Sequence, residues 1–227
     1  MWPVVTAAAV AGAAWAVRGR SSQVFAPSIW RGSRSRPLVA LTFDDGPSAW
    51  TPQVLDLLDE HDAKATFFQI GSFAQRCADI AHEVSRRGHE IGNHTHTHAR
   101  LYLRSPGFIH GELSNAQNAL ADIHGTPPRW FRATYGCRWF GLAAAQKELG
   151  LTGVMWTAIG LDWKLPEDAI LNRLLAAASN GAIFCLHDGR AQQSEPDASP
   201  TIGALRKLLP ALRQRGLQSV TLGEILE

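Results

Sequence analysis

Leu38-Val39-Ala40-Leu41-Thr42-Phe43-Asp44-Asp45-Gly46-Pro47 is the stretch from which the chain can be read outward. Its first four residues, Leu38-Val39-Ala40-Leu41, form a short apolar run, the mark of a buried strand, and Thr42-Phe43 leads from it into two adjacent carboxylates and a Gly-Pro turn. Neighbouring Asp44 and Asp45 repel one another and lose solvation at a buried strand end. A compensating positive charge is therefore expected, and a divalent cation is its commonest form. Further on, His89-Glu90-Ile91-Gly92-Asn93 reads as another strand and runs into His94-Thr95-His96-Thr97-His98, which offers imidazoles at spacings of two and four.

From residue 38 onward, β-type runs alternate with helical segments. Strands are expected at 38–43, 65–70, 89–93, 129–132, 152–157, 182–186 and 217–221. Between them, Thr51-Pro52 reads as cap and first position of a helix, Pro166 as another start, and Gly88, Gly125, Gly150 and Gly216 as C-terminal stops. Seven consecutive βα units imply a parallel sheet and favour a distorted (β/α) barrel of about seven parallel strands over an open doubly wound sheet. No Gly-x-Gly-x-x-Gly or Walker-type loop follows the first strand, which weighs against nucleotide binding. Residues 21–36 read as a lead-in and 189–199 as an exposed loop.

Composition bounds the function. A chain of 227 residues, 45% hydrophobic and 19% charged, can bury a full core, and a formal net charge of +2 with no basic run gives no footprint for nucleic acid. The cysteines Cys77, Cys137 and Cys185 contain no Cys-x-x-Cys, so neither a disulfide framework nor a thiolate zinc site is indicated; Cys185, inside Ala182-Ile183-Phe184-Cys185-Leu186, reads as a small buried hydrophobe. Residues 1–17 lack charged side chains and are mostly Ala and Val. That fits either membrane association, as an anchor or signal remnant, or a helix packed on the domain; about 17 residues are short for a ~30 Å hydrocarbon core. No chemistry is expected from residues 1–20.

The unusual polar residues fall at the C-terminal ends of the expected strands: Asp44 and Asp45 on the first, His94 to His98 on the third, Arg132 on the fourth, Asp162 and Trp163 after the fifth, His187 and Asp188 on the sixth. That end of a parallel barrel is where such folds carry their chemistry. One Asp and two His suit a catalytic zinc. His94 and His98 share a face if the chain turns helically after the strand, His94 and His96 if the strand continues; Gly92 and Asn93 signal an ending strand and favour the first pair. The carboxylate outside the ligand set can take a proton from a water acidified by the ion, and His187 can act as general acid.

Together these residues resemble the polysaccharide deacetylase family, also called NodB-homology domains or carbohydrate esterase family four. The similarity rests on Thr42-Phe43-Asp44-Asp45-Gly46-Pro47, His94-Thr95-His96-Thr97-His98, Phe131-Arg132-Ala133-Thr134-Tyr135-Gly136, Asp162-Trp163 and Ile183-Phe184-Cys185-Leu186-His187-Asp188, and covers a catalytic domain at 37–227. The resemblance implies a distorted (β/α) barrel, Asp44 as base, and Asp45, His94 and His98 as ligands of one divalent ion, Zn2+ first and Co2+ or another ion as alternatives. It implies that Arg132 orients Asp44, that the Tyr135 backbone N–H helps hold an oxyanion, that His187 is the acid and Asp162 its partner, and that Trp163 and Leu186 wall the acetyl pocket. Thr134 stands where the family has Pro. The implied activity is removal of N-acetyl groups from amino sugars by a monomer acting on an N-acetylated carbohydrate, in a membrane-associated or extracytoplasmic setting. The alternatives are a deformylase of a lipid-linked amino sugar, an O-acetyl xylan esterase, or an inactive carbohydrate-binding protein.

Overall fold

Each expected strand position carries a strand. In the computed structural model these are β1 (Ser28–Ile29), β2 (Leu38–Gly46), β3 (Ala65–Gln69), β4 (Glu90–Asn93), β5 (Trp130–Phe131), β6 (Thr152–Val154), β7 (Ala158–Ile159), β8 (Ala182–His187) and β9 (Gln218–Ser219). The structure describes residues 2–191, 193 and 196–227, with side chains from residue 9 onward; Met1 of the apolar segment and part of the expected loop at 189–199 lie outside the described residues. The sheet order is β1-β6-β5-β4-β3-β2-β8-β7, with β9 on the early part of β2, and every pairing is parallel.

Two features differ from expectation. The lead-in contributes β1, which pairs with β6. The strand expected at 152–157 is divided: β6 pairs with β5, while β7, three residues later, pairs with β8 at the other margin. One kinked segment thus joins both sides of the curled sheet, which is the distortion of this barrel. The kink is satisfied rather than frayed. The carbonyls of Val154 and Met155 each accept from the Arg132 guanidinium at 3.2 Å, and Thr157 donates its N–H to Ile183 O at 2.8 Å and its hydroxyl to Trp30 O at 3.0 Å.

Helices α1 (Trp2–Arg18), α2 (Thr51–Glu60), α3 (Gly71–Arg76), α4 (Ala78–Arg86), α5 (Pro106–His124), α6 (Leu142–Glu148), α7 (Glu167–Ala177), α8 (Ser199–Gln214) and α9 (Leu222–Leu226) complete the chain. The four expected glycine stops all take positive φ. The expected cap does not: Trp50 occupies the N-cap of α2, and the Thr51 hydroxyl accepts from Ser48 N–H and donates to Asp188 instead.

Period-two alternation sorts β2. Val39, Leu41 and Phe43 face outward into the layer with Leu55 and Leu58 of α2 and Leu205 and Leu208 of α8. Ala40 faces inward with Phe68, Val154 and Ile183. Asp44, two and four residues on from Thr42 and Ala40, shares that inward side, and this parity brings a carboxylate to the mouth of the barrel.

The last turn of α1 is tied to the domain by Arg138, whose N–H donates to Val17 O at 3.0 Å and whose guanidinium donates to Ser22 O at 2.6 Å and to Gly19 O. Val10 and Trp15 remain 69% and 50% exposed. No described helix is long and apolar enough to cross a membrane.

Candidate active site and metal centre

β2 delivers its two carboxylates to different places because the backbone turns between them. Asp44 is still in register with His187 of β8, whereas Asp45 takes φ 69° and the pairing with β3 slips between Asp44 and Gly46. Asp44 is 4% exposed. Its Oδ1 accepts from Arg132 Nη1 at 2.7 Å, and its Oδ2 accepts from the Cys185 thiol at 3.4 Å. Arg132, fully buried, also donates to Thr42 Oγ1 at 2.7 Å and to the two carbonyls of the kink, and it lies 4.1 Å over the Phe68 ring. A buried charge pair persists only when its remaining donors are satisfied, and here they are. Cys185 is more than the small hydrophobe expected: burial and the neighbouring Asp44 push its thiol well above 9.0, so it stays protonated and serves as a donor.

Asp45 meets two imidazoles. Its Oδ1 lies 3.3 Å from His94 Nε2 and 3.0 Å from His98 Nε2. His94 Nδ1 is 2.8 Å from the Arg132 carbonyl, so that nitrogen carries the proton and, in the neutral ring, the Nε2 lone pair points at the carboxylate. Asp45 Oδ1 has no hydrogen-bond donor among the described residues. Lone pairs facing each other across such distances call for a cation between them. Ligand atoms of a tetrahedral zinc with bonds near 2.1 Å stand about 3.4 Å apart, and this trio lies within 4.8 Å, so the donor set fits a divalent ion.

The pair His94 and His98 comes together, but not through the helical turn expected. Residues 94–98 form an irregular bend in which Thr95 and His98 take φ 64° and 58°, conformations that cost ordinary residues of order 1 kcal/mol or more. The bend is held by its neighbours. Asn93 Oδ1 accepts from Thr95 N–H at 2.9 Å. Glu112 of α5 accepts from the N–H groups of His96 and Thr97 at 3.1 and 2.9 Å and from the Thr97 hydroxyl at 2.9 Å. Glu112 escaped the sequence reading, although its signal was present: a carboxylate in the apolar stripe Ile109, Leu113, Ala116, Leu120. His96 stands outside the ligand trio.

Beside Asp44, on β8, His187 is held by Asp162, which accepts from His187 Nδ1 and from His187 N–H, both at 2.8 Å, and from Thr201 Oγ1 at 2.7 Å. Burial lowers the His187 pKa, but the charge and hydrogen bond of Asp162, with Asp45 and Asp44 adding to them, raise it to about 9. Trp163 meets the His187 ring edge-on at 5.1 Å and is 46% exposed. Leu186 does not wall the pocket: alternation along β8 sends it outward into the core with Phe184, while Cys185 and His187 point in. Ile159 and Trp156 line the pocket in its stead. Tyr135 lies in the short turn Thr134–Gly136 with φ 57°, and Thr134 ties that turn to Ala99 O at 2.6 Å through the hydroxyl that Pro would lack. The cavity measures about 360 Å3 and gathers Asp44, Asp45, His94, His98, Tyr135 and His187. It also takes in Arg18 of α1 and Arg190, neither foreseen; Arg190 donates to Asp162 O at 2.8 Å.

The profile of the family described as polysaccharide deacetylase matches residues 31–154. A chitooligosaccharide deacetylase of a Bradyrhizobium species is 39% identical over 196 residues, 82% of this chain and 88% of the relative. A peptidoglycan-N-acetylglucosamine deacetylase of Bacillus cereus is 35% identical over 201 residues, 87% of this chain and 92% of the relative. Among solved structures, a peptidoglycan N-acetylglucosamine deacetylase in complex with an N-oxidanyl-benzamide superimposes with a TM-score of 0.80 at 31% identity, over 87% of this chain and 91% of that one. On fold, on motifs and on these similarities, the chain belongs to the polysaccharide deacetylase family.

Proposed function

We propose that this protein is a metal-dependent hydrolase that removes N-acetyl groups from amino sugars of an oligosaccharide, a cell-wall polymer or a glycoconjugate, releasing acetate and a free amine. The relatives are deacetylases of chitooligosaccharide and peptidoglycan, and deacetylases of this family depend on a metal ion. The observation that carries the reading is the presence, in one cavity with the Asp45, His94 and His98 trio, of a carboxylate held by Arg132 and an imidazole held by Asp162.

Asp45, His94 and His98 would hold the ion, for which their one oxygen and two nitrogen donors favour Zn2+. Bound there, it would acidify water and polarise the amide carbonyl. Asp44, oriented by Arg132, takes a proton from the attacking water. His187, kept as an imidazolium by Asp162, donates a proton to the departing nitrogen. The Tyr135 backbone N–H, at the rim turn pinned by Thr134, is assigned to the oxyanion, and Trp163 with Ile159 and Trp156 shields the acetyl group from water.

Acetate release from chitooligomers and peptidoglycan fragments, before and after chelation and metal restoration, tests the reading. Release that is abolished by chelation, restored by zinc or cobalt, and lost by at least ~100-fold in both Asp44→Asn and His187→Ala supports it. Metal-independent release, or release unaffected by either substitution, overturns it.

A further inference from the structure

A groove of about 600 Å3 opens beside the catalytic cavity and shares Arg18 and Tyr135 with it. One wall is the aliphatic face of α1, with Ala13, Ala14 and Val17; the other is an aromatic cluster in which Trp139 packs against Phe25 at 4.9 Å and against Tyr102 at 4.7 Å. Two cations stand where groove and cavity meet. Arg18 lines both, and Arg100 lies 5.0 Å over the Tyr135 ring, which also meets the His98 ring edge to face at 4.8 Å. Both arginines are exposed, and among the described residues neither has a carboxylate partner.

The combination constrains what fits. A neutral oligosaccharide could stack on the aromatic wall but would leave the aliphatic face of α1 and two unpaired guanidinium groups unmatched. A ligand that is apolar along the groove and anionic at its cavity end matches all three features. Sugar chemistry supplies the link: in a 2-acetamido sugar, the carbon bearing the acetamido group adjoins the anomeric carbon, so an anion on the anomeric oxygen lies a few bonds from the amide that the catalytic cavity addresses. From this arrangement we infer that the substrate is an amphiphile, an N-acetylated amino sugar joined through an anomeric phosphate or pyrophosphate to a long hydrocarbon chain. The sugar enters the cavity, the phosphate meets Arg18 and Arg100, and the chain lies between α1 and the Trp139 cluster. The inference rests on the deacetylase reading and specifies its substrate.

The test compares acetate release from three compounds that share the N-acetylglucosamine unit: a farnesyl pyrophosphate conjugate, the same pyrophosphate capped with methyl, and an uncharged methyl glycoside. Each buried methylene contributes about fourfold to affinity, so kcat/KM for the farnesyl conjugate should exceed that for the methyl pyrophosphate by at least ~10-fold. Ala14→Trp, which fills the groove from an exposed helix position, should bring that ratio close to one. The pair Arg18→Gln and Arg100→Gln should lower the preference for the methyl pyrophosphate over the uncharged glycoside by ~10-fold or more. A farnesyl-to-methyl ratio near one in the wild type, or a ratio preserved in Ala14→Trp, overturns the inference. Binding of farnesyl pyrophosphate alone, followed by tryptophan fluorescence, reads the groove without turnover: saturable binding weakened at least ~10-fold by Ala14→Trp supports it, and absence of saturable binding refutes it. Failure to release acetate from all three compounds while that binding is intact would count against the deacetylase reading and not against the groove.

Discussion

Asp162→Asn isolates what holds His187, the proposed general acid, in its charged form. Asp162 is buried and receives three hydrogen bonds, two of them from His187. Its charge is the main reason that the buried imidazole titrates at about 9 and not at or below the ordinary 6.5. Asparagine preserves size but removes the charge, while the burial that lowers the His187 pKa remains. A fall from about 9 to 6.5 or lower corresponds to ~3 kcal/mol of lost preference for the imidazolium. At pH 8 the protonated fraction would drop from about nine-tenths to about 3%, so the basic limb of the kcat/KM profile should move toward acid by at least ~2 pH units. A divalent ion near Asp45 would lower the value in both proteins, which makes the difference between them the quantity to read. The stability linkage has the same origin: because the folded pKa is raised, His187 contributes stability fully below ~6.5 and loses it as pH rises through about 9, and the variant should lack that decline. The assay is the pH profile of acetate release together with the NMR titration of His187. A basic limb that stays within half a pH unit of wild type, at equal metal content, would refute the assignment of Asp162 as the group that keeps the acid protonated.

His98→Ala should lower metal occupancy measured by elemental analysis, whereas His96→Ala should leave it nearly unchanged; the reverse ranking would move the ligand set to the other pair. Glu112→Ala should weaken metal affinity by ~10–100-fold, the usual effect of removing a group that positions ligands, and Glu112→Gln, which can still accept from the His96 and Thr97 N–H groups, should restore most of it; equal affinities in all three proteins would show that the bend needs no anchor. Arg132→Met leaves the Asp44 carboxylate buried without its partner, a loss of ~3–5 kcal/mol that in a chain of this size lowers Tm on the order of 10 °C; a Tm within 2 °C of wild type would show that the pair contributes little to the fold.

How much was legible in the sequence follows from which signals are local. Apolar runs bounded by Gly and Pro located every strand of the expected set, and parallel pairing followed from the helices between them. Asp44, Asp45, His94, His98, Arg132, Asp162 and His187 could be named because each lies at the C-terminal end of a strand or in the loop just after it, and all parallel strands of one sheet end on the same side. Tertiary structure alone decided the rest. Period-two parity in the folded sheet, not hydrophobicity, sent Leu186 into the helix layer and Cys185 against Asp44. The left-handed conformations of Thr95 and His98, which no residue there announces, brought the two imidazoles onto Asp45, and they persist because Glu112, remote in sequence, satisfies the bend. Arg132 drew on the carbonyls of Val154 and Met155 and so broke a strand that looked continuous. Arg18, in a segment that carried no chemical signal, reaches the cavity because Arg138 seats the last turn of α1 beside it. The sequence by itself determined which elements form and which residues carry charge at their ends; contacts between residues distant in sequence decided which of those charges face one another.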